Sequence, residues 1–232
     1  MIDISTRFRC LLLASIASVL VFPALSIAPE ATSAQTIEIT YWQRLKDIFR
    51  RKRRKPISRP LRGICLISPQ PPELTENIPP TLVYDTKPLF LWKGDIKKIA
   101  VESPGSKEYL GTRIVTGNQS VNYTGQPLEP GKTYRWLIFL SELESASPTR
   151  FVPFKIMEAP ERNRITAELK RLEILQKNKG ANAEKIAFTK AEYFIQKGLW
   201  SDALQQAYSV PNPSPELSQI IKDLPNQLCE SK

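Results

Sequence analysis

Any chemistry in this chain must come from a short list of side chains. There is no histidine among its 232 residues, which removes His-based triads, imidazole general bases and imidazole metal ligands. The three cysteines are Cys10, Cys65 and Cys229, and neither Cys65 nor Cys229 has a recognisable base beside it. No GxSxG, Walker or dinucleotide-binding loop occurs, and Pro104-Gly105-Ser106-Lys107 reads as a turn rather than a phosphate loop. Glu142 and Glu144 would share a face only in a strand, and their surroundings, SELESASP, read as a solvated loop. The residues therefore predict no catalytic site, no metal site and no cofactor, with carboxylate-dependent hydrolysis as the least favoured alternative.

Two kinds of chemistry remain, thiol oxidation and the attraction of anions. Whether the thiols can oxidise depends on compartment. Arg7 and Arg9 precede an apolar run from Cys10 to Ala28, and small residues then lead to Ala34 and Gln35. This is the form of a signal peptide over residues 1–34, with Ala34 as the cleavage point if it is cut, and cleaved or uncleaved it predicts export to the periplasm or beyond. Cys10 would leave with the leader. In an oxidising compartment Cys65 and Cys229 could then form a disulfide joining the start of the body to its tail, or stay as two unrelated thiols. The only N-terminal cysteine precedes the apolar run, so no lipobox is present.

The anion-attracting residues form one block. The formal charge is +10, but residues 35–62 alone hold ten Lys and Arg against Glu38 and Asp47. From Gly63 onward the chain is close to neutral, with 21 basic and 19 acidic residues. Within the cationic arm of 35–60, Tyr41, Leu45 and Ile48 recur at helical spacing, and Trp42 and Phe49 widen the same face. Arg44 and Lys46, then Arg50, Arg51, Lys52, Arg53, Arg54 and Lys55, supply the polar side. Pro56 should stop the helix. Such a helix can lie in a membrane interface, its apolar side immersed and its cations on anionic headgroups. Contact with an anionic membrane surface or envelope polymer is the first reading, and a solvated spacer the second. Nucleic acid ranks third, because export removes access to it and the body is nearly neutral.

These residues need a scaffold, and the pattern changes twice along it. From Gly63 to Met157 the apolar runs are short and broken by turn signals. Candidate strands are GICLI from Gly63, Thr81–Tyr84, Pro88–Trp92, Ile96–Ser103, Glu108–Val115, Ser120–Tyr123, Thr133–Leu140 and Arg150–Met157. With no helical stretch between them, they predict an all-β antiparallel sandwich, immunoglobulin-like, over 61–157. Tyr134, Trp136, Ile138 and Leu140 share one face of their strand, and Leu137 and Phe139 the other, so that strand should be central. Trp92 and Trp136 read as core residues. Asn122-Tyr123-Thr124 matches a glycosylation acceptor pattern but falls at a strand.

From Pro160 the period becomes helical, and residues 158–232 predict a C-terminal α-helical hairpin region. Helices are expected from Pro160 to just before Gly180, from about Asn182 to Lys197, around Trp200–Tyr208, and from Ser214, where Pro215 sits at the first helical position. AEYFIQKGLWSDALQQAY resembles part of a tetratricopeptide unit, although only one copy occurs. This region either packs on the sandwich or offers a surface to a protein partner.

Three segments together resemble the exported cyanobacterial proteins of family DUF928. Pro88, Phe90 and Trp92 fit a P-x-F-x-W strand. Leu128, Pro130, Gly131, Tyr134 and Trp136 fit an L-x-P-G-x-x-Y-x-W strand. Gly198, Trp200, Asp202, Ala203 and Leu204 fit a later G-x-W-x-D-A-L helix. The likeness spans about 61–225; it departs after Trp136, where LIFLSELES lacks the cysteine such proteins often carry. The resemblance implies export and this architecture, and no activity. The functional expectation is an exported structural or protein-binding module of the cell envelope, with a small-molecule or polymer carrier as the alternative.

Overall fold

The computed structural model describes residues 41–52, 63–70, 79–106 and 108–229, with Tyr41, Arg50, Arg51 and Lys52 described by backbone alone. The expected leader, residues 35–40 of the arm, and Arg53, Arg54 and Lys55 lie outside the described residues.

The first described element is a helix, α1 (Tyr41–Lys52), followed by β1 (Cys65–Ser68), β2 (Thr81–Val83), β3 (Leu89–Lys93) and β4 (Lys98–Glu102). Next come β5 (Tyr109–Ile114), β6 (Ser120–Asn122), β7 (Thr133–Phe139) and β8 (Arg150–Ile156). Four helices complete it: α2 (Ala159–Asn178), α3 (Ala183–Gln196), α4 (Trp200–Tyr208) and α5 (Pro215–Cys229). Each strand falls on an expected apolar run, and each C-terminal helix on an expected helical one.

The strands form two sheets, one ordered β1-β3-β6 and the other β2-β8-β7-β4-β5. Their facing sides enclose one core, in which Phe90 and Trp92 of β3 meet Trp136 of β7 and Phe154 of β8. The Phe90 and Trp136 rings lie 4.9 Å apart, and those of Trp92 and Trp136 6.3 Å apart. As expected, β7 is central, lying between β8 and β4. Its second apolar face, Leu137 and Phe139, is covered with Ala100 and the loop residue Ala146. Lys98 holds that loop down, donating from Nζ to the Leu143 carbonyl at 2.6 Å.

The expectation of a wholly antiparallel sandwich is corrected at one edge. β2 runs parallel to β8, with Thr81 opposite Phe154 and Val83 opposite Ile156. The edge of β8 turned away from β7 needs partners for its amides, and a parallel neighbour supplies them as an antiparallel one would.

A second core lies on the far side of the smaller sheet. Ile67, Leu89 and Leu91 point away from the sandwich and pack with Phe188, Phe194, Leu204, Leu217 and Leu224 of the helices. The layers are therefore large sheet, small sheet, helices. The described residues belong to a single compact unit, so the boundary expected at 157/158 marks a change of secondary structure within shared cores.

Helix α5 contains Pro225, whose ring nitrogen cannot donate to the Ile221 carbonyl four residues earlier. The Tyr208 hydroxyl of α4 donates to that carbonyl instead, at 3.1 Å. The end of α5 is tied to β1 by a disulfide between Cys65 and Cys229, with Cα atoms 5.9 Å apart and a sequence separation of 164. Closing so long a loop restricts the unfolded chain. A Cys65→Ser/Cys229→Ser double variant should lose roughly 2–5 kcal/mol of stability in urea unfolding. Wild-type protein unfolded in reductant should fall to the same midpoint.

Candidate functional site

The cationic helix is where the sequence placed its contact site, and the structure turns its apolar side inward. Trp42 is 2% exposed, Leu45 2% and Phe49 7%, all within the helical core. The Trp42 ring meets Phe188 edge-on at 5.6 Å, and Phe49 meets Trp200 at 5.9 Å. The reading of these residues as a membrane-facing surface is thereby corrected. Helical periodicity shows that a face seeks an apolar surface, and the protein's own helices supply one.

A buried polar bond sets the position of α1. The Trp42 indole N–H donates to Glu184 Oε1 at 2.9 Å. The same carboxylate accepts from the Ser214 amide at 2.9 Å and from its hydroxyl at 2.8 Å. Glu184 thus joins α1, α3 and the start of α5 through one side chain. Arg44 is exposed, while Lys46 and Ile48 are half-buried. Arg50, Arg51 and Lys52 occupy the last turn of α1, where cations favour the negative end of the helix dipole. The start of the basic run therefore belongs to a helix docked on the body, whereas the sequence suggested a helix lying in a membrane interface or a solvated spacer. Cys65 and Cys229 are the other expected pair, and they are joined.

Glu142 and Glu144 are both exposed in the loop after β7, and Glu142 accepts from the Thr116 hydroxyl. The carboxylate shifted furthest from its ordinary value is Asp202, which the sequence marked only as a position of the helical motif. Asp202, 1% exposed in α4, accepts from the amides of Tyr84 at 3.0 Å and Asp85 at 2.9 Å. Burial pushes its pKa up to about 7, against the opposing pull of these amides, and nearby Asp85 adds to the rise. Gln205, one turn on, accepts from the Leu89 amide and donates to the Asp85 carboxylate and the Lys87 carbonyl. Arg162 of α2 donates from Nε to the Tyr84 carbonyl at 3.1 Å. These side chains fasten the β2–β3 connection to the helices. The available sequence signal was Asp202 itself, an acid beside Trp200, Ala203 and Leu204 on the apolar side of a short helix.

The three motif segments are thus structural. Pro88, just before β3, is buried, as are Phe90 and Trp92 within it, and Trp136 meets the two rings. Pro130-Gly131 turns the chain with Gly131 at φ +80°; a Cβ there would sit 2.4 Å from the Glu158 carboxylate. The Tyr134 hydroxyl accepts from the Glu129 amide at 2.9 Å. Gly198, at φ +76°, ends α3, and Asp202 then anchors α4.

Fold and geometry define a β-sandwich backed by a helical layer, with a cationic helix docked on that layer. Among the described residues no helix is long and apolar enough to cross a membrane, and no cluster of three or more acidic or cysteine side chains could hold a metal ion. Comparison with protein-family models, curated proteins and solved structures finds no match to this chain.

An unfolded chain releases the Asp202 proton near the ordinary value of 3.8, and the folded chain holds it to about 7. Between those values the native state binds more protons, so this group's contribution to stability is full below the lower value and is lost as pH rises through the upper one. Asp202→Asn cannot titrate. Urea unfolding from pH 4 to pH 7 should show the wild type losing stability relative to the Asn variant; parallel curves would refute the assignment.

Proposed function

We propose that this protein is an exported, non-catalytic module of a bacterial cell envelope that docks on an anionic surface through the end of α1 and the basic run beyond it. The observation carrying this reading is the seating of α1. Its apolar face is consumed by the helical core and fixed by Glu184, while the densest cationic block of the sequence begins in its last turn. The attachment is then electrostatic and without insertion, since Trp42 and Phe49, which would enter a bilayer, are occupied.

Export draws support from the leader-like start and from the Cys65–Cys229 disulfide, which suits an oxidising compartment. A non-catalytic role draws support from the duties of the buried ionisable groups. Asp202 and Glu184 hold backbone and side-chain donors, Lys98 holds a loop, and Glu102 pairs with Arg135 at 2.5 Å.

The sandwich is read as immunoglobulin-like. The order β1-β3-β6 against β8-β7-β4-β5 follows the A-B-E and G-F-C-C′ order of such domains. Tyr134, near the start of β7, bonds to backbone five residues upstream in the manner of a tyrosine corner. The DUF928 assignment is proposed on the motif spacing above. A protein partner at the helical layer is supported by Ile174 and Leu175, both about half exposed on α2.

Co-sedimentation of the full chain with vesicles tests the docking. Binding is expected to vesicles containing phosphatidylglycerol and not to pure phosphatidylcholine. It should be lost in about 1 M salt, where the screening length falls to about 3 Å. Replacing Arg50, Arg51, Arg53 and Arg54 with Gln should weaken it by up to about 1 kcal/mol per residue. Lipids brominated in the acyl chain should leave tryptophan emission unquenched. Unchanged binding by the four-residue variant would reject the reading.

A further inference from the structure

The helical layer and the large sheet each carry an exposed apolar spot, and the charges bordering the two are opposite in sign. The first spot is on α2. Ile174 and Leu175 are both about half exposed on its last two turns. Residues three and four apart share a helix face, which places Arg171 beside both of them and Lys170 beside Ile174. Both cations are exposed, and neither joins an ion pair among the described residues. The acids of this stretch are drawn to α3 instead. Glu168 accepts from the Tyr193 hydroxyl at 2.5 Å, and Glu173 from Lys190 Nζ at 2.7 Å. The open face of α2 is therefore apolar with a positive rim.

The second spot is on the outer face of the large sheet. Leu143, 68% exposed, and Ile114, 58% exposed, are the two most exposed large apolar side chains among the described residues. Ile114 stands opposite Lys98 in the β4–β5 register, and the buried Lys98 ammonium holds the Leu143 carbonyl. Exposed Glu142 and Glu144 precede and follow Leu143 in the chain. The turn that presents this leucine is fixed. Its amide donates to Ser141 Oγ at 3.2 Å, and its carbonyl also accepts from the Ala146 amide at 3.2 Å. Glu142 is tied to the Thr116 hydroxyl beyond β5. Leu143 thus has its backbone bonded while its side chain stands in water, and a group ordered in advance loses less entropy on contact.

Charge selects the partner. Each spot offers two aliphatic side chains and two bordering charges, acidic on the sheet and basic on α2. Such patches attract one another and repel their own kind. Because both belong to one chain, two copies already hold the two halves of a contact. It joins unlike patches, so it differs from a self-complementary two-fold interface.

We propose that copies of this chain associate through these two patches, Ile114 and Leu143 of one copy meeting Ile174 and Leu175 of the next, with Glu142 and Glu144 toward Lys170 and Arg171. The proposal rests on the reading of the helical layer as a protein-binding surface and names a second copy as its partner. The contact is small, hence weak and reversible. No residue of α1 takes part in it.

Sedimentation velocity of the exported chain over a rising concentration series, without vesicles, tests this. The wild type should associate reversibly. Glu144→Lys and Arg171→Glu should each weaken association about five- to tenfold, as an exposed attraction becomes a repulsion. Leu143→Asn should weaken it as well. Mixing the two charge variants should restore association, because one brings an intact α2 face and the other an intact sheet patch. Recovery in the mixture also shows that both variants are folded. The Glu144→Lys/Arg171→Glu double variant should associate by itself. Replacing Arg50, Arg51, Arg53 and Arg54 with Gln should change nothing, which separates this contact from surface docking. A wild type that stays monomeric, a mixture no stronger than its components, or association lost in the α1 variant would each overturn the proposal. The first of these would leave the α2 surface to a different, acidic protein.

Discussion

Strand β3 carries Leu89, Phe90, Leu91 and Trp92 in succession, and all four are buried. Side chains alternate between the faces of a strand, so this run can be satisfied only when both sides of its sheet are covered. Phe90 and Trp92 enter the sandwich core, while Leu89 and Leu91 enter the helical core. β3 is thus the wall shared by two apolar interiors. Without the helices, one face of the small sheet would lie open to water, at about 25 cal/mol for each Å² of apolar area exposed. That cost makes the helical layer part of the sandwich's own stability.

Apolar burial brings the layers together, but it does not set their register. That falls to a few buried polar groups at the junction between sandwich and helices. Asp202 and Gln205 receive the amides of Tyr84, Asp85 and Leu89, donors in and beside the turn between β2 and β3 that would otherwise be stranded against the helices. Tyr208 completes the interrupted hydrogen bonding of α5, and Glu184 collects donors from α1 and the α5 start. A buried polar group without partners costs roughly 1–3 kcal/mol, so a wrong register would be penalised several times over. Asp202 meets this need at some expense, since its desolvation raises its pKa.

The same reasoning changes the meaning of the cationic arm. An amphipathic helix beside a body with an uncovered helical face has a nearer partner than a bilayer. Trp42, Leu45 and Phe49 take that partner. Cations are costly to bury unpaired, and Arg44, on the opposite side of α1, is exposed.

Much of this architecture was legible in residue order. Turn residues between short apolar runs located the eight strands, and helical periodicity with Asn182, Gly198 and Pro215 located the four C-terminal helices, because both signals arise from local backbone preference. The alternation in TYRWLIFL assigned Trp136 and Phe139 to opposite faces for the same local reason. What was not legible depends on which surfaces meet. The parallel pairing of β2 with β8, the inward turn of Trp42 onto Glu184, and the role of Asp202 all join residues more than 70 positions apart. Sequence alone determined which faces were apolar and where the chain turned; tertiary packing decided what each face would be buried against, because burial is non-directional and takes whichever apolar surface the rest of the fold presents.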